Sequence, residues 1–357
     1  MYRRRYSPIG IDAGSAQIKM IQFRQNRGRI AVHCKALGPT DPEAYRDGMI
    51  VKPGPLIREL KRLKDTHRWH KNRVNLCLGP QAFYLRKVSL PQMTEAETCK
   101  AMFWEAENHF PLPASETVFD FCPADSEPLS GSEPRVYLLA ATAKETADSF
   151  TAAVAAAGFQ CVSLEILPLA LLRSMQAGLQ GRQEEGGTDL PGGETLLRVL
   201  IDIGHRSSTI LIIRGRKYHF YRNLKFGTAH FTEALLQSSG ESYPAAHRSL
   251  YEKKTLEAKG LLEAAGHFAT KLEQSLSYAF DVPGHTEPAL RSLEFCGGGA
   301  FIPGLATFVE QKLAVKRRLY NPLSAVSGST LVGQPEVYRE EALYPAAHGL
   351  ALRGWLK

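Results

Sequence analysis

Asp12, Gly14, Ser15 and Lys19 fall within one short run, Ile9-Gly10-Ile11-Asp12-Ala13-Gly14-Ser15-Ala16-Gln17-Ile18-Lys19. An apolar strand leads into an acidic residue, a glycine turn and a hydroxyl, and the returning strand carries an ammonium. Turn amides, hydroxyl and ammonium in that order can converge on one anion, so the run reads as a hairpin that grips phosphate. An ordinary hairpin built from turn-loving residues has the same composition. Repetition separates the two readings. Much later in the chain, Val199-Leu200-Ile201-Asp202-Ile203-Gly204-His205-Arg206-Ser207-Ser208-Thr209 repeats strand, Asp-x-Gly and hydroxyls before a second apolar strand. Both copies then turn back once more, at Asn26-Arg27-Gly28 and at Arg214-Gly215-Arg216. Two such turns facing each other can clamp a polyphosphate with its metal.

A third segment extends the set. Ser292-Leu293-Glu294-Phe295-Cys296 is a short apolar strand that runs into Gly297-Gly298-Gly299, with Pro303 near a helix start. Three glycines after a strand let a flat ring or a phosphate approach the backbone with no side chain in between. A flexible loop is the alternative for this segment taken alone.

These residues need elements to hold them. The chain has 357 residues, more than one core usually supports, and its 44% hydrophobic and 22% charged residues are ordinary for a globular protein. The formal charge of +8 suits nucleic acid, an acidic partner or an anionic membrane leaflet. No helix-turn-helix, zinc-finger or aromatic RNA-binding motif accompanies it, which argues against nucleic acid. The six cysteines, Cys34, Cys77, Cys99, Cys122, Cys161 and Cys296, lack ligand spacing and read as reduced thiols. The basic start Arg3-Arg4-Arg5 has no apolar region behind it and does not read as a signal peptide, and no apolar run is long enough to cross a bilayer. Helical spacing predicts a helix over 56–64 and another over 94–108, the latter with Thr94 as cap and Glu97 in the capping-box position. Strands are expected at 74–78, 83–88, 117–122, 135–142 and 160–164, and helices at 146–157, 166–175, 242–251, 255–280, 305–313 and 344–355. The Gly-rich stretch 181–193 reads as a mobile loop. Phe103, Trp104 and Phe110 could serve a partner, but core packing is the simpler use of each.

In their order, the three glycine segments resemble the phosphate-1, phosphate-2 and adenosine motifs of the actin, Hsp70 and sugar-kinase superfamily. Within it the chain is most similar to the PilM family of type IV pilus assembly proteins, relatives of the cell-division protein FtsA. The likeness rests on Leu90-Pro91-Gln92-Met93-Thr94-Glu95-Ala96-Glu97, on Phe103-Trp104-Glu105-Ala106-Glu107-Asn108-His109-Phe110-Pro111-Leu112-Pro113, on the run from Gly299 to Leu305 and on His348-Gly349-Leu350-Ala351-Leu352-Arg353. It implies an α/β, actin-like (ribonuclease H-like) two-lobe fold with a duplicated mixed-sheet core and a small inserted α+β subdomain. The implied division is a first lobe at 1–82, an inserted 1C-like subdomain at 83–164, a connecting helix and linker at 165–195, a second lobe at 196–340 and a helix at 341–357 that returns to the first lobe.

The resemblance further implies ATP with Mg2+ between the lobes. Asp12 and Asp202 would orient the metal, Gly14, Ser15 and Lys19 would meet the β- and γ-phosphates from one side, and Gly204, Ser207 and Ser208 from the other. Gly297, Gly298 and Gly299 would line the α-phosphate and adenosine, while His205 and Arg206 depart from the small residues usual in the second turn. Glu165 is the candidate for positioning an attacking water at the start of the connecting helix, with slow or undetectable turnover expected. The implied function is a scaffold at the inner face of the cytoplasmic membrane that docks the cytoplasmic tail of PilN between the core lobe and the inserted subdomain. Contact with the assembly ATPase and self-association stay open. So do two other readings: a sugar or carboxylate kinase of the same superfamily, and an FtsA-like membrane filament.

Overall fold

The computed structural model describes residues 5–46, 48–111, 113–124, 134–180, 197–252, 256, 258–280, 290–324, 326 and 340–355. The expected loop at 181–193 lies outside them. The first lobe starts with strands β1 (Arg5–Tyr6), β2 (Ile9–Ala13), β3 (Gln17–Asn26) and β4 (Arg29–Pro39), and a small ribbon, β5 (Tyr45–Arg46) with β6 (Met49–Ile50), follows. Helix α1 (Pro53–Thr66) leads to β7 (Arg73–Leu78), which lies parallel to β2, and the later strand β11 (Gln160–Ile166) lies parallel to β7. The sheet therefore runs β4-β3-β2-β7-β11, with β1 pairing the far end of β3. The second lobe repeats it. Its strands β12 (Leu197–Ile203), β13 (Ser208–Arg214), β14 (Lys217–Leu224), β15 (Leu290–Cys296) and β16 (Arg317–Leu319) run β14-β13-β12-β15-β16, again a three-stranded meander extended by two parallel strands.

Burial follows strand position. All seven residues of β13, a central strand with neighbours on both edges, are apolar, hydroxyl-bearing or half-covered, and six are buried. That is the pattern of a strand covered on both faces. Helices α5 (Thr228–Ser239), α6 (Tyr243–Glu252), α7 (Lys259–Phe280) and α8 (Leu305–Leu313) enclose a second-lobe core that includes Phe226, Phe231, Phe268 and Phe295. Between the lobes lies α4 (Leu167–Gln180). Its Leu171 and Met175 belong to one core with Ile11 and Leu76 of the first lobe and Leu200, Leu211 and Ile213 of the second.

The last helix, α9 (Pro345–Ala351), lies on the first-lobe sheet against α4. Two glycines allow this close approach: a Cβ on Gly10 would strike the Ala347 carbonyl, and one on Gly349 would strike the Ala170 carbonyl. His348 is buried at this junction, where its Nδ1 shares a 2.9 Å hydrogen bond with the Ser174 hydroxyl, itself 2.9 Å from the Tyr320 hydroxyl. Burial pushes its pKa down to about 3, so the ring is neutral at ordinary pH.

Between β7 and β11 the chain builds a second, smaller unit: β8 (Tyr84–Leu90), α2 (Glu95–His109), β9 (Thr117–Pro123) and β10 (Arg135–Ala143), with α3 (Lys144–Ala156) leading back to β11. Its sheet runs β8-β10-β9 and has a core of its own, with Val88, Met102, Phe110 and Leu139. Thr94 caps α2 as expected, in a reciprocal capping box with Glu97. Of the three aromatics read as core, Phe110 is buried, whereas Phe103 and Trp104 are 43% and 64% exposed. They occupy the outer face of α2, since the sheet covers only the side that carries Met102 and Ala106.

Candidate functional site

The two acidic hairpins end at one cleft of about 630 Å³, whose walls include Asp12, Gly14, Ser15 and Lys19 from the first lobe and Asp202, Gly204 and Ser207 from the second. The turns are built alike. The Gly14 amide donates to the Gln17 carbonyl at 3.0 Å, and the Gly204 amide donates to the Ser207 carbonyl at 3.0 Å. In each, the aspartate sits two residues before the glycine on the inner strand. Across the hairpin Asp12 faces Lys19, whereas Asp202 faces Thr209, so the duplication keeps the carboxylate and changes the cation.

Lys19 Nζ lies 3.1 Å from Asp12 Oδ2. Burial works against its charge, but Asp12 and then Asp202 overcome that and hold its pKa above the usual lysine value. Asp202 is in the opposite position. Burial first, and Asp12 as a like charge, lift its carboxyl to about 6 despite the attraction of Lys19. One ammonium thus serves two carboxylates. A site with this unbalanced acidity suits a further cation, and Asp12 and Asp202 would hold a divalent ion through its water shell and the ligand's phosphate oxygens. Among the described residues no group of three or more His, Cys, Asp and Glu side chains is placed to hold a metal ion.

Gly297 and Gly298 form the third wall. Gly297 adopts φ +76°, its amide donates to the Ala342 carbonyl at 3.0 Å, and a Cβ here would collide with Asp202 Oδ1. Only glycine lets this turn pass so close to the acidic strand end. Two of the residues expected to contact the nucleotide do not line the cleft. Gly299 is buried against the Ile203 side chain, and the buried Ser208 hydroxyl donates at 2.6 Å to the Phe226 carbonyl. Their roles are in packing the turns, because the strand alternation that aims Ser207 into the cleft turns Ser208 the other way.

Comparisons with known proteins bear on this geometry. The family description that matches is type IV pilus assembly protein PilM, over residues 10–355. The chain belongs to the PilM family. Among solved structures, a PilM-PilN type IV pilus biogenesis complex matches with 26% identity, 98% of this chain and 99% of that chain covered, and a TM-score of 0.83. The ethanolamine utilization protein EutJ from Carboxydothermus hydrogenoformans matches at 15% identity over 98% and 89% of the two chains, with a TM-score of 0.57. MreB5 of Spiroplasma citri bound to AMPPNP matches at 12% identity over 98% and 95%, with a TM-score of 0.51. The last two show the fold, which is actin-like.

Within this PilM-family frame, Glu165 takes a different place from the one expected. Strand β11 continues to Ile166, so Glu165 ends a strand instead of starting the connecting helix. It is 5% exposed and outside the cleft walls, with its carboxylate held in a fork by Arg173 at 2.6 and 2.7 Å and by Arg353 at 3.1 Å. A carboxylate so engaged anchors α4 and the segment after α9. Among the described residues of α4, Leu167 lines the cleft.

Sequence reasoning missed much of the second-lobe wall: Thr228, Glu233, His247 and Tyr251, with Lys225 just before α5. Helix periodicity could have put His247 and Tyr251 on one face of α6, four residues apart, but which face met the cleft depends on packing. His205, noted as unusual, shares a 3.0 Å hydrogen bond between its Nδ1 and the Thr228 hydroxyl. Burial, with His247 and Arg206 nearby, lowers its pKa to about 4, so it is a neutral polar contact of the turn and adds no positive charge.

Proposed function

We propose that this PilM-family chain is a nucleotide-binding scaffold of type IV pilus assembly that holds ATP with Mg2+ between its lobes and docks the cytoplasmic tail of a PilN-type inner-membrane protein. The observation that carries the nucleotide half is the convergence of two equivalent Asp-x-Gly turns and a glycine turn on one cleft. Gly14, Ser15 and Lys19 would meet the phosphates from one side and Gly204 and Ser207 from the other, with Gly297 and Gly298 beside the nucleoside. Mg2+ would neutralise phosphate charge and orient the phosphate chain. The MreB5 structure similar in fold is bound to AMPPNP, which supports the reading.

Turnover is slow in this reading. An actin-like ATPase needs a group that orients the attacking water, and the connecting helix offers the apolar Leu167 there. The remaining acid on the cleft wall, Glu233, is exposed on the second lobe.

For the tail, we infer a site where the inserted subdomain meets the first lobe. Strand β9 lies at the edge of its sheet and β11 at the edge of the first-lobe sheet. Cys122 of β9 lies near the Glu165, Arg173 and Arg353 cluster, whose charges reach its thiol, and burial raises that thiol's pKa. An extended peptide can add to such an edge by main-chain hydrogen bonds. The similar PilM-PilN complex supports this half. Among the described residues no helix is long and apolar enough to cross a membrane.

The test is paired. Calorimetric titration with Mg2+ and ATP, and pull-down with a PilN tail peptide, are run on the native chain, on Lys19→Ala and on Val162→Asp in β11. Lys19→Ala is expected to lose nucleotide and keep the tail, and Val162→Asp the reverse. Nucleotide affinity unchanged in Lys19→Ala would refute the cleft assignment.

A further inference from the structure

At the end of the first lobe away from the cleft, the strand ends and turns carry charge of one sign. Strand β3 runs from Gln17 beside the cleft out to Asn26, and β2 and β7 run back toward the cleft, so the β3–β4 turn, the start of β7 and the short strand β1 share the outer pole. Segments 24–30 and 67–73 present Arg24, Arg27, Arg29, Arg68, Lys71 and Arg73, all exposed, and Arg5 on β1 pairs with Gln25 beside them. None of these segments contains an aspartate or glutamate. Arg27 and Lys71 stand in left-handed turn geometry at φ 49° and 62°, at the tips of their loops.

The pole is rigid. Gln22 clamps the two segments, its amide donating to the His70 carbonyl at 2.8 Å while its own oxygen accepts the His70 amide at 2.8 Å. The Tyr6 ring stacks on His70 at 3.9 Å and meets His33 at 4.8 Å, and Arg5 lies over the Trp355 ring at 5.9 Å. The aromatic groups are thus spent on one another or on the fold, which leaves none splayed to stack bases. Arg27 and Lys71 sit at the tips of turns, with the other exposed cations on the strand ends and loop residues beside them. A shaped acidic protein would need apolar anchors among the charges, and the outer faces of these segments are polar. Guanidiniums dominate, and these suit phosphate oxygens.

We infer that this basic pole is a membrane-contact surface that rests on the anionic phospholipid headgroups of a bilayer. The inference does not need the nucleotide or tail readings to hold. Each cation near an anionic leaflet contributes about 1 kcal/mol, so several acting together give reversible, salt-sensitive binding.

The test is co-sedimentation of the full chain with phosphatidylcholine vesicles that contain or lack phosphatidylglycerol, at low and high salt, with and without duplex DNA as competitor. The R24E/R27E/R29E variant is compared with a charge-matched K312E/K316E/R318E variant on the second lobe. Binding is expected only to phosphatidylglycerol vesicles, lost at high salt, and weakened by about a hundredfold or more in the first variant but little in the second, three contacts at about 1 kcal/mol each setting the scale. R24Q/R27Q/R29Q keeps the test open should the reversal variant fold poorly, and Mg2+-ATP titration of each variant reports an intact fold. Equal binding to phosphatidylcholine, absence of binding, or DNA capture by the same residues without vesicle binding would each overturn the inference.

Discussion

Asp202 shows how the cleft stores a demand for a cation. Its carboxyl titrates near 6 in the fold against an ordinary value of 3.8, so the folded chain takes up a proton more readily than the unfolded one between those values. Stability of the ligand-free protein therefore falls as pH rises from about 4 to about 6 and then levels. Asp202→Asn removes the ionisation, and chemical denaturation should find it more stable than the native chain at pH 7, by about 1–3 kcal/mol, with the gain vanishing near pH 4. The same variant should lose Mg2+-dependent nucleotide binding. Glu165 behaves oppositely. Its carboxylate is buried while Arg173 is only partly covered and Arg353 is exposed, so Glu165→Ala leaves Arg173 without its carboxylate partner and should cost about 1–3 kcal/mol in stability, while any basal ATP turnover per folded molecule stays unchanged. A specific loss of turnover with stability intact would return Glu165 to catalysis.

Among the elements, the hairpins were the most legible. Asp12 and Asp202 each precede a glycine by two residues between apolar strands, and that local pattern is enough to specify turn and strands. Thr94 and Glu97 announced the start of α2 for the same reason, since a capping box is complete within four residues. What sequence could not show was set by distant partners. Glu165 looked like a helix start because the parallel pairing of β11 to β7, which carries the strand on to Ile166, joins residues far apart in the chain. Ser208 and Gly299 looked like ligand contacts until packing assigned them to Phe226 and Ile203. At this scale the capping box gives a direct check. Thr94→Ala should lower the stability of the inserted subdomain by about 1 kcal/mol, seen by hydrogen exchange confined to 84–143, with ATP affinity unchanged.

The whole molecule joins the inserted subdomain to both lobes. Besides its covalent links to β7 and β11, Lys87 donates a 2.6 Å hydrogen bond to the His219 carbonyl of β14, and Phe83 packs at 5.8 Å from the Tyr221 ring. Any change in lobe separation must therefore move or strain the subdomain. If the subdomain helps hold the partner tail, Lys87→Ala should leave tail affinity similar with and without nucleotide, whereas in the native chain the two should differ. The duplicated sheet order could be inferred from the repeated hairpins, but the contact between β8 and β14 has no local signature.

The central claim is that two duplicated acidic turns close on one Mg2+-nucleotide. Its most direct test is a calorimetric titration of Mg2+-ATP into the native chain and into Asp12→Asn and Asp202→Asn. One site per chain is predicted, absent without Mg2+ and weakened at least tenfold by either change. Binding that ignores both substitutions, or survives unchanged when magnesium is chelated, would contradict it.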